Sequence, residues 1–399
     1  MYITRLPDLR SFCEEIGRPE VLAIDTEFVR EKTYFHRLGL IQVGAEGRFA
    51  AVDPIAIRDL TPLLEIIADP KVLKVFHAGK QDLEILYRLL GGVVTPVFDT
   101  QVAASLLGWG AQISFAKIVK RVTGRQIHKS ETYSDWCRRP LSQSQIDYAI
   151  DDVRFLLPVY EHLVRQLKKM QRLEWLDEEL MSLMDPRVYE APEPRTQFLR
   201  IKNFRTLKPR NLGVLCELAA WREEEGIRRD CLPRFIIRDE PLLEIARKLP
   251  RTVKELAQIR GFHPKEVQAS GRKLIKVIER GLELREDQIP PIPETNSFST
   301  RSGVEELLAA YVQVRSEELK IEPHILADRK QIHDFVRRHE LKESLDDHPL
   351  FKGWRKSLIG EELHDLLVGK AGLTINGQGR VVMVHNGLRH PEPESGSSD

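Results

Sequence analysis

The stretch VLAIDTEFVR, residues 21–30, changes character halfway. Four apolar residues run as a buried strand does, and Asp25 and Glu27 follow one residue apart. Positions i and i+2 of a strand face the same way, so two carboxylates stand side by side at the end of an apolar strand. Their mutual repulsion is unfavourable unless positive charge is brought to them. The neighbouring sequence has to explain what that charge is.

Around this stretch, VLAIDTEF, LGLIQVG and RFAAVD read as three consecutive strands, the last two joined by the short AEG turn. IRDLTPLLEIIADP reads as a helix, KVLKVFH as a strand, KQDLEILYRLLGG as a helix closed by glycine, and PVFDT as a short strand. From Gln101 onward the pattern is mostly helical. Antiparallel strands followed by strand–helix alternation predict a mixed sheet flanked by helices.

A D-x-E pair by itself is common, but two further segments add acids to it. In KVFHAGKQDLEIL, His77 ends a strand and Asp82 falls in the first turn of the next helix. An acid there complements the helix dipole; its place just beyond a strand end also lets it converge with the first pair. His77 reads as a packed or turn-stabilising residue. In SQSQIDYAIDDVRFLLPVY, Tyr148 and Asp152 are i and i+4 on one helix face, at the border of a broad apolar stripe. Asp147 and Asp151 form a second pair rotated by about 100°, on a more exposed side. Four carboxylates from two strand ends and one helix can gather hard divalent cations such as Mg²⁺ or Mn²⁺. Two such ions, roughly 3.5–4 Å apart, can hold the attacking and departing oxygens of a phosphodiester.

The motifs DTEF, HAGKQDLEIL and YAIDDV resemble the three exonuclease motifs of the DEDDy group, specifically of the ribonuclease D family. The stretches GLIQVG, FDTQVAASLLG and SDWCRRPLSQSQIDYA are similar to what that family carries between its motifs. The resemblance implies a ribonuclease H-like α/β exonuclease domain binding two divalent metal ions. Asp25, Glu27, Asp82 and Asp152 would be the metal-binding acids, its Y-x-x-x-D spacing selecting Asp152 over Asp151. Tyr148, helped by Glu27, would orient the attacking water.

Beyond a proline-rich stretch, LAAWREEEGIRRDCLPRFIIRDEPLLEIARKLPRTVKELAQIRG is similar to the HRDC module of ribonuclease D and RecQ-type helicases. A weaker copy follows: LAAWREEEGIRRDCLP starts at Leu218 and LAAYVQVRSEELKIEP at Leu308, and it resembles the family's second module. The expected organisation is an exonuclease domain over 1–185, a linker over 186–208, a first all-α HRDC domain over 209–288, a linker over 289–302, a second HRDC-like domain over 303–372, and a hairpin with a disordered tail over 373–399. By resemblance the activity is 3′→5′ exoribonuclease, releasing nucleoside 5′-monophosphates and trimming tRNA precursors and other structured RNAs. A DNA exonuclease is the competing enzyme reading, since the acids act on phosphate and cannot see a 2′-hydroxyl. A nucleic-acid-binding protein with an inactive site is the reading from another class, and the intact set of acids and tyrosine argues against it.

Composition agrees with a globular protein of two or three domains: 399 residues, 42% apolar and 30% charged. No apolar run of about 18 residues is present to span a membrane, and the first residues do not form a secretory signal. Cys13, Cys137, Cys216 and Cys231 lie far apart, which excludes a cysteine zinc motif and fits a reducing cytoplasm. The net charge of +1 conceals an asymmetry. Residues 195–285 hold 22 Lys/Arg against 12 Asp/Glu, so this segment carries +10 and the remainder −9. A basic middle able to contact phosphates is expected, with Arg228, Arg229 and Lys273 as candidates. Lys129, Arg138 and Arg139 are candidates near the third motif. Asp99 is expected to cap a helix, Phe28 and Phe76 to pack, and Trp221 and Tyr311 to anchor helical cores. No obligate protein partner is expected, and a monomer suffices.

Overall fold

The structure, a computed structural model, describes residues 1–127, 134–292 and 303–385. Strands β1 (Tyr2–Ile3), β2 (Val21–Val29), β3 (Arg37–Ala45), β4 (Arg48–Val52), β5 (Leu73–Phe76) and β6 (Val97–Asp99) form one sheet in the order β1-β4-β3-β2-β5-β6. β2, β3 and β4 are antiparallel neighbours, while β5 and β6 continue from β2 in parallel. Glu46 and Gly47 both adopt positive φ in the turn between β3 and β4, as a tight hairpin demands. β1, parallel to β4, had no expectation behind it; two residues are too few to show a period.

Helices cover both faces. α1 (Leu6–Ile16), α2 (Thr61–Ala68) and α3 (Lys80–Leu90) pack on one, against Leu22, Ile24, Ile41 and Val43. On the other lie α4 (Thr100–Leu106), α5 (Phe115–Thr123), α6 (Gln143–Lys169) and α7 (Leu173–Met181), against Ala23, Val75 and Phe98. Leu22, Ala23 and Ile24 are all fully buried, which is why β2 opens as an unbroken apolar run rather than an alternating one. The result is the expected mixed α/β sheet flanked by helices, with all-α modules after it.

The first module contains α8 (Pro209–Arg229), α9 (Pro233–Ile236), α10 (Asp239–Lys248), α11 (Val253–Leu256) and α12 (Pro264–Glu283). The second contains α13 (Val304–Leu319), α14 (Pro323–Leu326), α15 (Arg329–Glu340), α16 (Gly353–Arg355) and α17 (Glu361–Leu367). The sequence repeat is a structural one. α9 and α14 start at matching positions, and α8 and α13 both end on a left-handed residue, Asp230 (φ 45°) and Lys320 (φ 52°). Trp221 and Tyr311 are both buried, as core anchors should be. β7 (Ala371–Ile375) and β8 (Val381–His385) pair as the expected hairpin; the tail beyond 385 lies outside the described residues.

Two features depart from a beads-on-a-string reading. The stretch expected as the first linker is folded: short 3₁₀ turns carry Phe198, Ile201, Phe204 and Leu207 into the core of the first module. Their spacing of three residues follows the 3₁₀ period and not the 3.6-residue one, so no α-helical pattern marked them. The second module docks on the exonuclease domain through one continuous core that runs from α6 and α7 to Leu308, Tyr311 and Trp354. Trp175 stacks on Trp354 at 5.0 Å, and Arg355 forks onto Glu179 at 2.5 and 2.8 Å. At Gly108 (φ 68°) a Cβ would come within 2.7 Å of the Lys320 carbonyl, so only glycine permits this approach.

Candidate active site

β2 brings Asp25 and Glu27 to the face covered by α6, one residue past the end of its apolar run. A β-bulge follows at once, where the pairing shifts between Glu27 and Phe28 and the strand turns away. α6 is started by a capping box, in which Ser142 accepts from the Gln145 N–H and the Gln145 side chain accepts from the Ser142 N–H. Its apolar face, including Ala149, Ile150 and Val153, seats on the sheet. Tyr148 and Asp152 flank that face and meet the acids of β2. Oxygens of Asp25, Glu27 and Asp152 lie within 4.8 Å of one another. This spacing suits three carboxylates sharing one hard cation. The hydroxyl of Tyr148 donates to Asp152.

Asp82 is the acid that this group of three does not include. Thr26, between Asp25 and Glu27, faces the opposite side of β2, and its hydroxyl donates to the Asp82 carboxylate. Asp82 therefore stands on the α3 side of the strand and outside the group of three, although its charge still acts on Asp25 and Glu27. The turn that presents it is tightly built. At Gly79 a Cβ would meet the Phe76 side chain at 2.4 Å, and Asp99 accepts from the N–H groups of Ala78 and Gly79 at 3.1 and 2.8 Å. Asp99 also caps α4, as expected, through Gln101 and Val102. Positioning of the Asp82 turn is a second role that local sequence could not signal.

The electrostatics of the site are set by burial and by like charges brought close together. Burial, then the charges of Asp152, Asp82 and Glu27, push the Asp25 carboxyl well above the usual range. Burial, then Asp152 and Asp82, raise Glu27 to about 9. Asp152 is raised to about 7 by burial and by Asp151, against the Tyr148 hydrogen bond that lowers it. Asp82 reaches only about 6, because the Thr26 hydroxyl offsets its burial. The Tyr148 phenol is pushed up by burial and by these acids, which keeps its proton in place as a donor. Asp151 instead pairs with Arg154 at 2.6 Å, and Asp147 accepts from Gln143 at 2.9 Å.

A pocket of about 220 Å³ opens over the acids, with His77, Phe115 and Leu156 on its other wall. His77 is fixed by Thr100 at 2.9 Å and the Ile113 carbonyl at 3.1 Å, so its turn-stabilising reading holds. Phe115, with its ring centroid 5.2 Å from that of His77, was not singled out by sequence; only the tertiary fold brings it here. Phe76 packs in the core, whereas Phe28 lines a separate cleft of about 560 Å³ with Arg30, Lys32 and Arg37. Arg139 is no substrate-facing loop residue: it forks onto Asp53 at 2.6 and 2.8 Å and binds the Gly39 carbonyl. Arg138 is exposed, and Lys129 lies outside the described residues. Arg229 is committed to Glu225 and Glu266; Arg228 pairs with Glu225 but stays exposed, and Lys273 is exposed as well.

Comparison with known proteins agrees with this arrangement. Residues 1–168 match the 3′-5′ exonuclease family, residues 211–278 the HRDC domain, and residues 303–363 the ribonuclease D C-terminal HRDC domain. Ribonuclease D of Granulibacter bethesdensis is 38% identical over 94% of this chain and 94% of its own length. The chain belongs to the ribonuclease D family. Ribonuclease D of Bartonella henselae is 36% identical over 94% of this chain and 91% of its own. The crystal structure of Escherichia coli RNase D, described as an exoribonuclease involved in structured RNA processing, superposes with a TM-score of 0.80 at 33% identity, over 92% of this chain and 98% of that one. The protein is thus a 3′-5′ exoribonuclease with HRDC domains that bind nucleic acid, and the fold implies dependence on divalent metal. No helix among the described residues is long and apolar enough to cross a membrane.

Proposed function

We propose that this exoribonuclease hydrolyses RNA from its 3′ end by a two-metal-ion reaction that releases nucleoside 5′-monophosphates, using Asp25, Glu27, Asp82, Tyr148 and Asp152. The observation that carries the reading is the close grouping of the Asp25, Glu27 and Asp152 oxygens beside the Tyr148 hydroxyl. When bound, divalent cations (Mg²⁺ or Mn²⁺) lower the pKa of the attacking water and stabilise charge on the leaving oxygen. Asp25, Glu27, Asp152 and Asp82 would be the carboxylates that hold the cations. Tyr148, kept protonated, orients the water, while Glu27 accepts from it. His77 and Phe115 offer ring faces to the terminal base. Arg30, Lys32 and Arg37 in the neighbouring cleft give the phosphate backbone a basic path.

The substrates we assign are tRNA precursors with 3′ extensions and other structured RNAs, by likeness to the Escherichia coli enzyme. The helical modules add affinity through phosphate contacts, and the chain acts in the cytoplasm as a monomer. The test is a time course on a 3′-extended tRNA and a DNA strand of equal length, with and without Mn²⁺. Stepwise shortening of the RNA, with release of 5′-monophosphates, is expected only with the cation, and is abolished by Asp25→Ala. Shortening that persists in Asp25→Ala or in excess chelator refutes the site assignment. Equal rates on DNA refute the RNA preference.

A further inference from the structure

β3 carries a residue whose burial the reaction described so far does not explain. Gln42 pairs directly with Asp25 across the antiparallel ladder. Opposite residues in such a ladder point to the same face, with Cβ atoms about 5 Å apart. Along that face Gln42 lies between Leu40 and Gly44. Leu40 packs with Ala149 and Ile150 of α6, and Gly44 lies beneath the Val153 carbonyl. On its other side Gln42 pairs with Ala51. Leu40, Gly44 and Ala51 bring no polar side-chain atom. The acids of β2 do, with Asp25 opposite and Glu27 one step along the diagonal.

Gln42 is fully buried, and neither its amide nitrogen nor its amide oxygen has a hydrogen-bond partner among the described residues. An unpaired buried amide is destabilising, and an apolar residue of similar length would avoid that cost. The cost falls beside the grouped carboxylates, on the strand that buttresses them. Acids that hold a metal are themselves oriented by hydrogen bonds from behind, and losing such a partner typically costs about 10–100-fold in metal affinity or activity. Asp25 has no side-chain donor of this kind among the described residues.

We propose that Gln42 is the positioning residue for Asp25: in the ion-loaded protein its amide N–H donates to the Asp25 carboxylate and fixes that carboxylate's rotation. The proposal rests on Asp25 being a metal-holding acid.

The test compares full-length wild type, Gln42→Leu and Gln42→Met. Mn²⁺ affinity is read calorimetrically, kcat and KM on an RNA oligonucleotide, and unfolding without metal by melting temperature. Removal of a buried unpaired amide leaves the metal-free melting temperature unchanged or raises it. Mn²⁺ affinity is expected to fall about 10–100-fold; kcat at subsaturating Mn²⁺ falls with it, and KM for RNA does not change. A residue that merely fills space would leave Mn²⁺ affinity alone. Folded variants with wild-type Mn²⁺ affinity and kcat overturn the proposal, as does loss of folding in both variants, which would make the amide a support of the fold. Asp25→Ala is the control: if it keeps full Mn²⁺ affinity, the site reading has failed, whereas loss there with none in the Gln42 variants sinks the Gln42 proposal alone.

Discussion

Binding of a divalent cation to the metal-free protein should release protons near neutral pH. Carboxylates ordinarily lose their protons near pH 4, so a normal acidic cluster would release none at pH 7. Here Glu27 titrates at about 9 and Asp152 at about 7, with Asp25 displaced upward as well, because burial and mutual repulsion disfavour their charged forms. At pH 7 Glu27 is protonated and Asp152 is about half protonated, whereas carboxylates holding a cation are ionised. Roughly one to two protons should therefore leave Glu27 and Asp152 as the ion binds, and apparent affinity should rise with pH around neutrality. Titration calorimetry in buffers of different ionisation enthalpy measures the number directly, as the slope of the observed heat against buffer enthalpy. A slope of zero at pH 7 would mean that the acids are already charged, and that water reaches them well enough to cancel the burial argument.

The same shift sets a stability prediction. Glu27 rises from an ordinary 4.5 to about 9 in the folded chain, so the unfolded chain gives up its proton first. Below about pH 4.5 both forms hold the proton and nothing is lost; from there to about 9, rising pH destabilises the metal-free fold. By pH 8 the shift integrates to a ceiling of about 5 kcal/mol. Glu27→Gln should raise the metal-free melting temperature at pH 8 and leave it unchanged at pH 4, an ordering that no packing effect reproduces.

Three further outcomes are expected. Tyr148→Phe should lower kcat about 100-fold, a typical value for one proton-handling group, while Mn²⁺ affinity measured by calorimetry stays within a few-fold of wild type. Truncation before residue 293 should lower the melting temperature of the exonuclease domain, because it strips Trp354 from Trp175 and Arg355 from Glu179; an unchanged melting temperature would show the shared core to be energetically idle. Lys273→Glu with Lys276→Glu, both exposed on α12, should weaken RNA binding and reduce its salt slope by about 0.7 for each lost contact, with cleavage of short oligonucleotides unaffected.

What sequence made legible was local. The buried run before Asp25, the i, i+2 relation to Glu27 and the i, i+4 relation of Tyr148 to Asp152 are properties of a strand and a helix, and each survives in three dimensions. The tie of Asp82 to Thr26 on the far face of β2 is different: neither charge nor local pattern signals it. Arg229 was read as free for phosphate because Glu266, 37 residues away, gives no local sign of meeting it. Gln42 looked like an ordinary strand residue until the β2–β3 register set it opposite Asp25. Pairing across the fold decided each of these cases, and periodicity within one element carries no information about it.

The site joins two halves, Asp25 and Glu27 from β2 and Asp152 from α6, and each half continues into a different helical module. Past the bulge after Glu27, the chain meets the first module. The Lys32 carbonyl accepts from the Leu232 N–H at 3.3 Å, the Tyr34 hydroxyl donates to Glu223, and the Phe35 N–H donates to Asp230 at 3.1 Å. Past Asp152, α6 leads to Arg172, whose guanidinium binds the Leu106 and Lys320 carbonyls at 2.7 and 3.2 Å and so ties the helix to the second module. Metal-holding groups must stay within about 0.5 Å of productive geometry, and a gap between two elements is only as firm as whatever braces each of them. Each half of the site is thus braced by contacts to a different helical module.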